Sequence, residues 1–350
     1  MAILGSAHYY IWLRFVSATH LPSPWYWLAT IAIMVLAPSL PVVTFFLRRL
    51  PRARAQPWVW LGYTWFGFAV YLLLAAAVTD LVCTIAGVDS RTAAIVGVAA
   101  AAATVVYGLV NVARGPIVRR VRIPLAKLPA SADGYTIVQL TDVHIGPLLG
   151  ERFAAKVVER VNALAPDLIV ITGDIVDGRL DELRRHIEPL RQLKARDGVY
   201  AVTGNHEYYW HPEAWLEHLR SLGIQILRNE HVTIRDAFEL AGVDDSSANE
   251  DVPRAVAGRN PTLPVVLLAH HPRTVARAIA ADVELQLSGH THGGQLLPHG
   301  WLVRLFEPHV AGLARFGATW LYISEGTGFW GPPMRVGTSS EIALLTLTPA

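Results

Sequence analysis

The sequence predicts an α/β layered domain preceded by an all-α, membrane-embedded front. Two observations carry this. Charge is uneven along the chain: residues 1–113 hold only Arg14, Arg48, Arg49, Arg52, Arg54, Asp80, Asp89 and Arg91, whereas the other 237 residues hold 50 charged side chains. Behind the front, short apolar runs alternate with helical patterns and end in Asp, His or Asn. The whole chain is 52% hydrophobic and 17% charged, which excludes a disordered chain. Cys83 is the one cysteine, so a disulfide scaffold and sulfur-ligated zinc or iron–sulfur sites are excluded. The rear part carries 24 Lys+Arg against 26 Asp+Glu. That leaves no basic field for a nucleic-acid partner.

The front holds three uncharged runs, at 25–47, 58–79 and 92–113. As helices each reaches about 33 Å, enough for a hydrocarbon core of about 30 Å. Trp25, Tyr26 and Trp27 open the first and Trp58 and Trp60 the second, as suits the headgroup layer. Pro38 and Pro41 are expected to kink the first. Arg48, Arg49, Arg52 and Arg54 fill the first connection, Arg91 alone marks the second, and Arg114, Arg119, Arg120, Arg122 and Lys127 follow the third. The positive-inside rule therefore places the rear domain in the cytoplasm, as part of a multi-pass inner (plasma) membrane protein. Residues 1–24 read as an interfacial segment carrying Arg14 rather than a cleaved signal peptide. Cys83 is expected to be a packing residue.

Residues 114–134 pass from basic residues into Pro124, Pro129, Ser131, Asp133 and Gly134, and read as a basic linker. The rear domain is then 135–350. Strand-like runs at Tyr135–Leu140, Asp167–Ile171, Val199–Val202, Pro264–Leu268 and Val283–Leu287 each lead into polar residues. Helical patterns at Glu151–Leu164, Leu180–Leu193 and Pro212–Leu222 separate the first three. Runs at Glu239–Val243, Trp320–Ser324 and Ile342–Leu347 lack such helices and suggest a more antiparallel second half.

Strand ends in open α/β sheets are where ligands gather. Here they carry Asp142 and His144, Asp174, Asn205 with His206 and Glu207, His270 with His271, and His290 with His292. Residues two apart on an extended segment point the same way, and the adjacent glycines permit close approach. This nitrogen and oxygen set suits Mn, Fe, Zn, Ni or Co. Asp244 and Asp245 read as turn residues, and Arg273 as a structural ion-pair partner. His186, His211, His218 and His231 lack motif context and are expected at the surface. The run Leu296–Phe306 reads either as a packed loop or as a lip that meets lipid.

These motifs, in this order, closely resemble the calcineurin-like metallophosphoesterases. The matching pieces are Asp142-Val143-His144, Gly173-Asp174, Gly204-Asn205-His206-Glu207, His270 and Gly289-His290-Thr291-His292, over about residues 135–347. The Gly-His-Thr-His-Gly-Gly-Gln ending, Gly326-Thr327-Gly328 and Pro333-Met334-Arg335 resemble a narrower branch. That branch is the membrane-associated bacterial phosphodiesterases similar to UDP-2,3-diacylglucosamine hydrolases. The resemblance implies a four-layer αββα sandwich with two metal ions. Asp142, His144 and His292 would bind the first ion, Asn205, His270 and His290 the second, and Asp174 both. His206 would be catalytic.

Two divalent ions bring four positive charges, and Asp142 and Asp174 supply two negatives. A bridging hydroxide and a phosphodiester monoanion would cancel the rest. Attack of that hydroxide on phosphorus is the expected chemistry, with His206 donating to the leaving oxygen and Glu207 or another acceptor orienting its ring. His271 and Arg335 are candidate substrate contacts. The expectation is a metal-dependent phosphodiesterase or pyrophosphatase acting on a lipid-linked or nucleotide-sugar-lipid substrate in lipid metabolism. The alternative is a membrane-anchored regulatory or binding protein on the same fold, but such a protein is expected to lose ligands, and none is missing. A transporter with an appended enzyme domain is weaker still, because no charge interrupts the three spans.

Overall fold

The computed structural model describes residues 2–46, 50–307 and 309–350, without the side chains at 299 and 306. Leu47, Arg48 and Arg49, the end of the first expected span and the start of its basic connection, lie outside the described residues. The chain divides into two compact units, 1–114 with 331–336, and 115–330 with 337–350.

The first unit is helical: α1 (Ala2–Trp12), α2 (Ser23–Leu36), α3 (Ser39–Phe45), α4 (Arg52–Ala86) and α5 (Ser90–Ala113). Among the described residues, three stretches are long and apolar enough to cross a membrane: Ser23–Phe45, Arg52–Ala86 and Ser90–Ala113. The first is broken between α2 and α3 at Ala37 and Pro38, where proline removes a backbone donor. The N-terminal segment, expected as an interfacial helix, is laid against α4. Trp65 Nε1 donates to His8 Nε2 at 3.1 Å, and Tyr10 and Arg14 both reach Asp80. The segment 331–336 belongs to this unit. Met334 is fully buried, and a Cβ on Gly67 or Gly108 would collide with it.

The second unit holds β1 (Ile117–Leu125), β2 (Tyr135–Leu140), α6 (Glu151–Asn162), β3 (Leu168–Thr172), α7 (Leu180–Ile187), β4 (Val199–Val202), α8 (Asn205–Tyr209), α9 (Pro212–Ser221) and β5 (Gln225–Ile226). It continues with β6 (Glu230–Ile234), β7 (Phe238–Gly242), α10 (Val252–Ala255), β8 (Val265–Leu268), α11 (Val275–Ala280), β9 (Leu285–Ser288), α12 (His299–Phe306), β10 (Gly312–Phe316), β11 (Thr319–Ile323) and β12 (Glu341–Pro349). Two six-stranded sheets form, in the orders β1-β12-β2-β3-β4-β5 and β10-β11-β9-β8-β7-β6.

Alternation along the strands sorts the core into layers. Ile137, Val170, Val202 and Leu345 of the first sheet meet Phe238, Leu240, Val266, Leu287 and Tyr322 of the second. The outer face of the first sheet is covered by α6, α7 and α9. The outer face of the second is covered by α10 and α11. In α6, Ala154, Val157, Val158 and Val161 are buried, the spacing of one helix face. The result is the four-layer αββα sandwich.

Two expectations change. The stretch 114–134 is not a linker throughout, because β1 pairs in parallel with β12 from Ile117↔Glu341 to Leu125↔Pro349. Arg119, Arg120, Arg122 and Pro124 disguise it, and these residue types belong on an edge strand, where β1 lies. The second half is more antiparallel than the first, as expected, since β2–β3, β3–β4 and β4–β5 are all parallel, but within the second sheet the antiparallel pairs are the two edges, β6–β7 and β10–β11. Its pairs β7–β8, β8–β9 and β9–β11 are parallel. His186 and His218 are buried rather than at the surface, each on the apolar side of an amphipathic helix.

Candidate metal centre

The site is built on strand ends from both sheets. β2 delivers Asp142 and His144, β3 delivers Asp174, and β4 leads into Asn205 and His206 at the start of α8. From the second sheet, β8 delivers His270 and β9 delivers His290 and His292. Asp142, His144, Asp174, His290 and His292 all have φ between 50° and 70°. Non-glycine residues in this region cost on the order of 1–3 kcal/mol each and concentrate at functional sites. The sharp turn swings each side chain from the strand end into a shared space.

The ligand-type atoms converge in overlapping groups: Asp142, His144 and His292; Asp174, His270 and His290; and His144, Asp174 and His206. Within each group they lie within 4.8 Å of one another. His292 Nε2 is 3.3 Å from Asp142 Oδ1 and 3.1 Å from His144 Nε2. His270 Nε2 is 3.2 Å from Asp174 Oδ2 and 3.3 Å from His290 Nδ1. Asp174 Oδ2 also faces His144 Nε2 at 3.8 Å, so this carboxylate stands between the two triads.

The donor chemistry fits divalent ions. His270 Nδ1 donates to the Thr172 carbonyl at 2.7 Å, which leaves Nε2 as the free lone pair, the arrangement that metal-ligating imidazoles use. Asn205 Oδ1 is buried without a hydrogen-bond partner, an acceptor that otherwise carries a desolvation penalty. Its Nδ2 donates to Tyr209 Oη at 3.1 Å. Burial pushes His144 down to about 3, and burial with the neighbouring His270 and His271 pushes His290 down to about 2. Both are thereby neutral, the form that binds metal. For His270 burial acts downward, but the Asp174 carboxylate overrides it and holds the ring up at about 10. An ion at that position would take the place of this proton.

Neighbours fix the ligands. Asp142 accepts from Thr141 Oγ1 at 2.8 Å and from the His290 backbone N–H at 3.0 Å. A Cβ on Gly289 would collide with Thr141 and Asp142, and one on Gly204 with the Asp174 carboxylate. Only glycine lets these loops pass. The Thr327 and Gly328 N–H groups donate to the Thr141 and Asp142 carbonyls at 2.8 and 2.9 Å, which gives the Gly326-Thr327-Gly328 motif a bracing role.

Glu207 does not orient His206. Its carboxylate accepts four backbone N–H groups, from Asp174, Ile175, Val176 and Gly204, at 2.7–3.3 Å. It thus ties the β3 and β4 loops together. The His206 partner is Asp177, with Nδ1 to Oδ1 at 3.3 Å, and Trp210 Nε1 donates to the same oxygen at 3.2 Å. Asp177 escaped the sequence reading. Its only signal was a carboxylate three residues after Asp174. The His206 ring also meets Tyr209 and Trp330, with centroids 5.1 and 5.8 Å away.

The structure brings together Asp142, His144, Asp174, His206, His270, His290 and His292, with Asn205 beside His206 on α8. His271 adjoins them, but its Nε2 turns to Asp245 at 3.3 Å. Asp244 and Asp245 are buried rather than plain turn residues, and Asp244 receives Arg228 Nε at 2.9 Å. Arg273 pairs with Glu307 at 2.6 Å. Arg335 falls in the helical unit. There its carbonyl accepts from Asn111 Nδ2 at 3.0 Å and its N–H donates to the Gly108 carbonyl at 3.2 Å.

Residues 135–294 match the family model of the calcineurin-like phosphoesterases. An Aquifex aeolicus metallophosphoesterase is 34% identical over 239 residues, covering 66% of this chain and 91% of that protein. One from Bacillus subtilis is 33% identical over 233 residues, covering 63% and 81%. The chain belongs to the calcineurin-like metallophosphoesterase family. A transmembrane protein with metallophosphoesterase domain from Danio rerio is 42% identical over 263 residues, covering 70% of this chain and 60% of that protein. The chain thus spans about 60% of the length of that transmembrane relative. These relatives share the metallophosphoesterase name and not that of the diacylglucosamine-hydrolase branch.

Proposed function

We propose that this protein is a membrane-anchored phosphoesterase that uses two divalent ions to hydrolyse a phosphodiester or pyrophosphate bond. The observation that carries the reading is the pair of ligand triads facing each other across Asp174. Asp142, His144 and His292 would hold one ion, Asn205, His270 and His290 the other, and Asp174 would serve both. The ligand set accepts Mn, Fe, Zn or Ni. When bound, such ions neutralise phosphoryl charge and acidify water.

The residues of the chain supply the rest. Asp177 fixes the His206 Nδ1–H, so Nε2 faces the centre and can donate to a phosphoryl or leaving oxygen. His271 is held by Asp245 and packs on His290, with ring centroids 3.8 Å apart. It therefore steadies a ligand more than it contacts substrate. Tyr209 and Trp330, 61% and 47% exposed, flank His206 and offer an apolar margin to whatever the phosphorus carries.

Location supports a membrane-resident substrate, a lipid-linked or nucleotide-sugar-lipid phosphoester of the kind the diacylglucosamine-hydrolase resemblance implies. The test is hydrolysis of a chromogenic phosphodiester by purified full-length protein, metal-stripped and then with Mn²⁺, beside His206→Ala and Asp174→Asn. Metal-dependent turnover that falls by at least ~100-fold in both variants is expected. Turnover indifferent to metal or to both substitutions would remove the proposal. A lipid phosphodiester in mixed micelles, compared with the soluble one, then tests the substrate class. Equal kcat/KM for the two counts against a lipid-linked substrate.

A further inference from the structure

We propose that α12 is a bilayer-docking lip: its apolar face beds in the headgroup–acyl boundary beside the metal centre. Trp301, Leu302 and Leu305 are 63%, 59% and 74% exposed. Leu305 lies four residues after Trp301 and three after Leu302, so the three span one apolar face of the helix. Among the described residues of this unit, the other large apolar side chains so exposed are Ile117 in β1, Tyr209 in α8, Ile279 in α11 and Trp330 in the loop between β11 and β12. α12 alone gathers several.

The helix is held firmly next to the ligands. A Cβ on Gly294, at the end of the turn that carries His292, would collide with the Gly300 backbone, so the first turn of α12 rests on that turn. Beyond the helix, Thr291 Oγ1 donates to the Val310 carbonyl at 2.6 Å. The loop that presents the two β9 histidines is therefore clasped from both ends of the lip.

The composition selects lipid as the occupant. A tryptophan with leucines and a basic neighbour is the make-up of helices that lie in the interface. From Leu296 to Phe306 the one charged residue is Arg304, exposed on the helix, which suits anionic headgroups. The following Glu307 is taken by Arg273. The bilayer is also a permanent neighbour, because only Arg114, Gly115 and Pro116 separate α5 from β1. That stretch reaches about 10 Å when fully extended. The proposal rests on reading the three apolar helices as membrane spans and is independent of the phosphoesterase chemistry.

Full-length protein carrying Cys83→Ala would receive single nitroxide labels at Leu305→Cys or Leu302→Cys. It would be reconstituted in nanodiscs of phosphatidylethanolamine and phosphatidylglycerol. References are Ile95→Cys on α5 and Glu182→Cys on α7, both at exposed positions. Collision with oxygen is compared with collision with a water-soluble nickel chelate. Both α12 labels are expected to favour oxygen severalfold, as Ile95→Cys does, while Glu182→Cys favours nickel. Nickel-dominated collision at both α12 positions, or shielding from both reagents, overturns the lip while leaving the phosphoesterase reading intact. A nickel-dominated Ile95→Cys would overturn the span reading and the lip with it. Because the readout is collision and not turnover, an inactive enzyme does not disturb it.

Discussion

Glu207 shows how much of this centre is held by a residue that binds neither metal nor substrate. Burial and the nearby Asp174 charge push its carboxyl up to about 7, an unfavourable placement for an anion. Four backbone N–H groups offset it. A Glu207→Gln side chain keeps the shape but has one acceptor oxygen, and its NH₂ would face donors. Relief of the repulsion with Asp174 offsets part of the loss. The expected net is a destabilisation of about 1–3 kcal/mol and metal affinity lower by roughly 10–100-fold. Thermal melting and metal analysis of the same sample check this. An unchanged melt with full metal content would sink the role. Sequence reading found the gathered residues because Asp and His stood two apart at strand ends, in the family's order. It did not find Asp177, and it left open whether Glu207 or another acceptor orients His206. Which acceptor faces an imidazole is settled by the path of two loops, not by spacing along one.

At the scale of elements, legibility followed burial. β2 and β4 run as the sequence predicts, and β3, β7, β8, β9, β11 and β12 differ by a few residues at their ends. Interior strands are apolar on consecutive positions. β1 did not announce itself, because an edge strand carries charge and proline. Its attachment is nonetheless specific. Arg119 Nε meets Glu341 Oε2 at 2.7 Å, and the other oxygen of Glu341 accepts from Tyr322 Oη at 2.5 Å. Glu341 is 1% exposed while the Arg119 side chain is 41% exposed, so the pair is only half desolvated. Arg119→Ala would strand the buried carboxylate. The cost is expected at about 2 kcal/mol, below that of breaking a fully buried pair. For a unit of this size the melting temperature falls by roughly 4–8 °C. Arg119→Lys should recover part of it. A melt unaffected by Arg119→Ala would mean that β1 is held by its backbone ladder alone.

For the molecule as a whole, the division into an apolar front and a charged rear was plain from where the charges lie. The placement of 331–336 was not. Pro333-Met334-Arg335 reads as a motif with a cation for phosphate, yet Met334 and Arg335 are fully buried in the helical unit. No local pattern records packing against helices more than 200 residues earlier. The sidedness of the chain is where sequence and structure combine into a further test. Basic residues crowd the connection before α4 and the exit from α5, whereas the short stretch between α4 and α5, Gly87-Val88-Asp89, holds none, and Arg91 alone stands just inside α5. The positive-inside rule predicts the α4–α5 connection outside and the metallophosphoesterase unit in the cytoplasm, where the proposed lipid-linked substrate would then have to present its phosphorus. With Cys83→Ala as background, a membrane-impermeant thiol reagent should label Val88→Cys in intact cells. It should label Asp133→Cys only after lysis. Both positions are exposed, so access depends on sidedness and not on burial. The reverse pattern would put the metal centre on the outer face, and the substrate would then have to be sought in the outer leaflet.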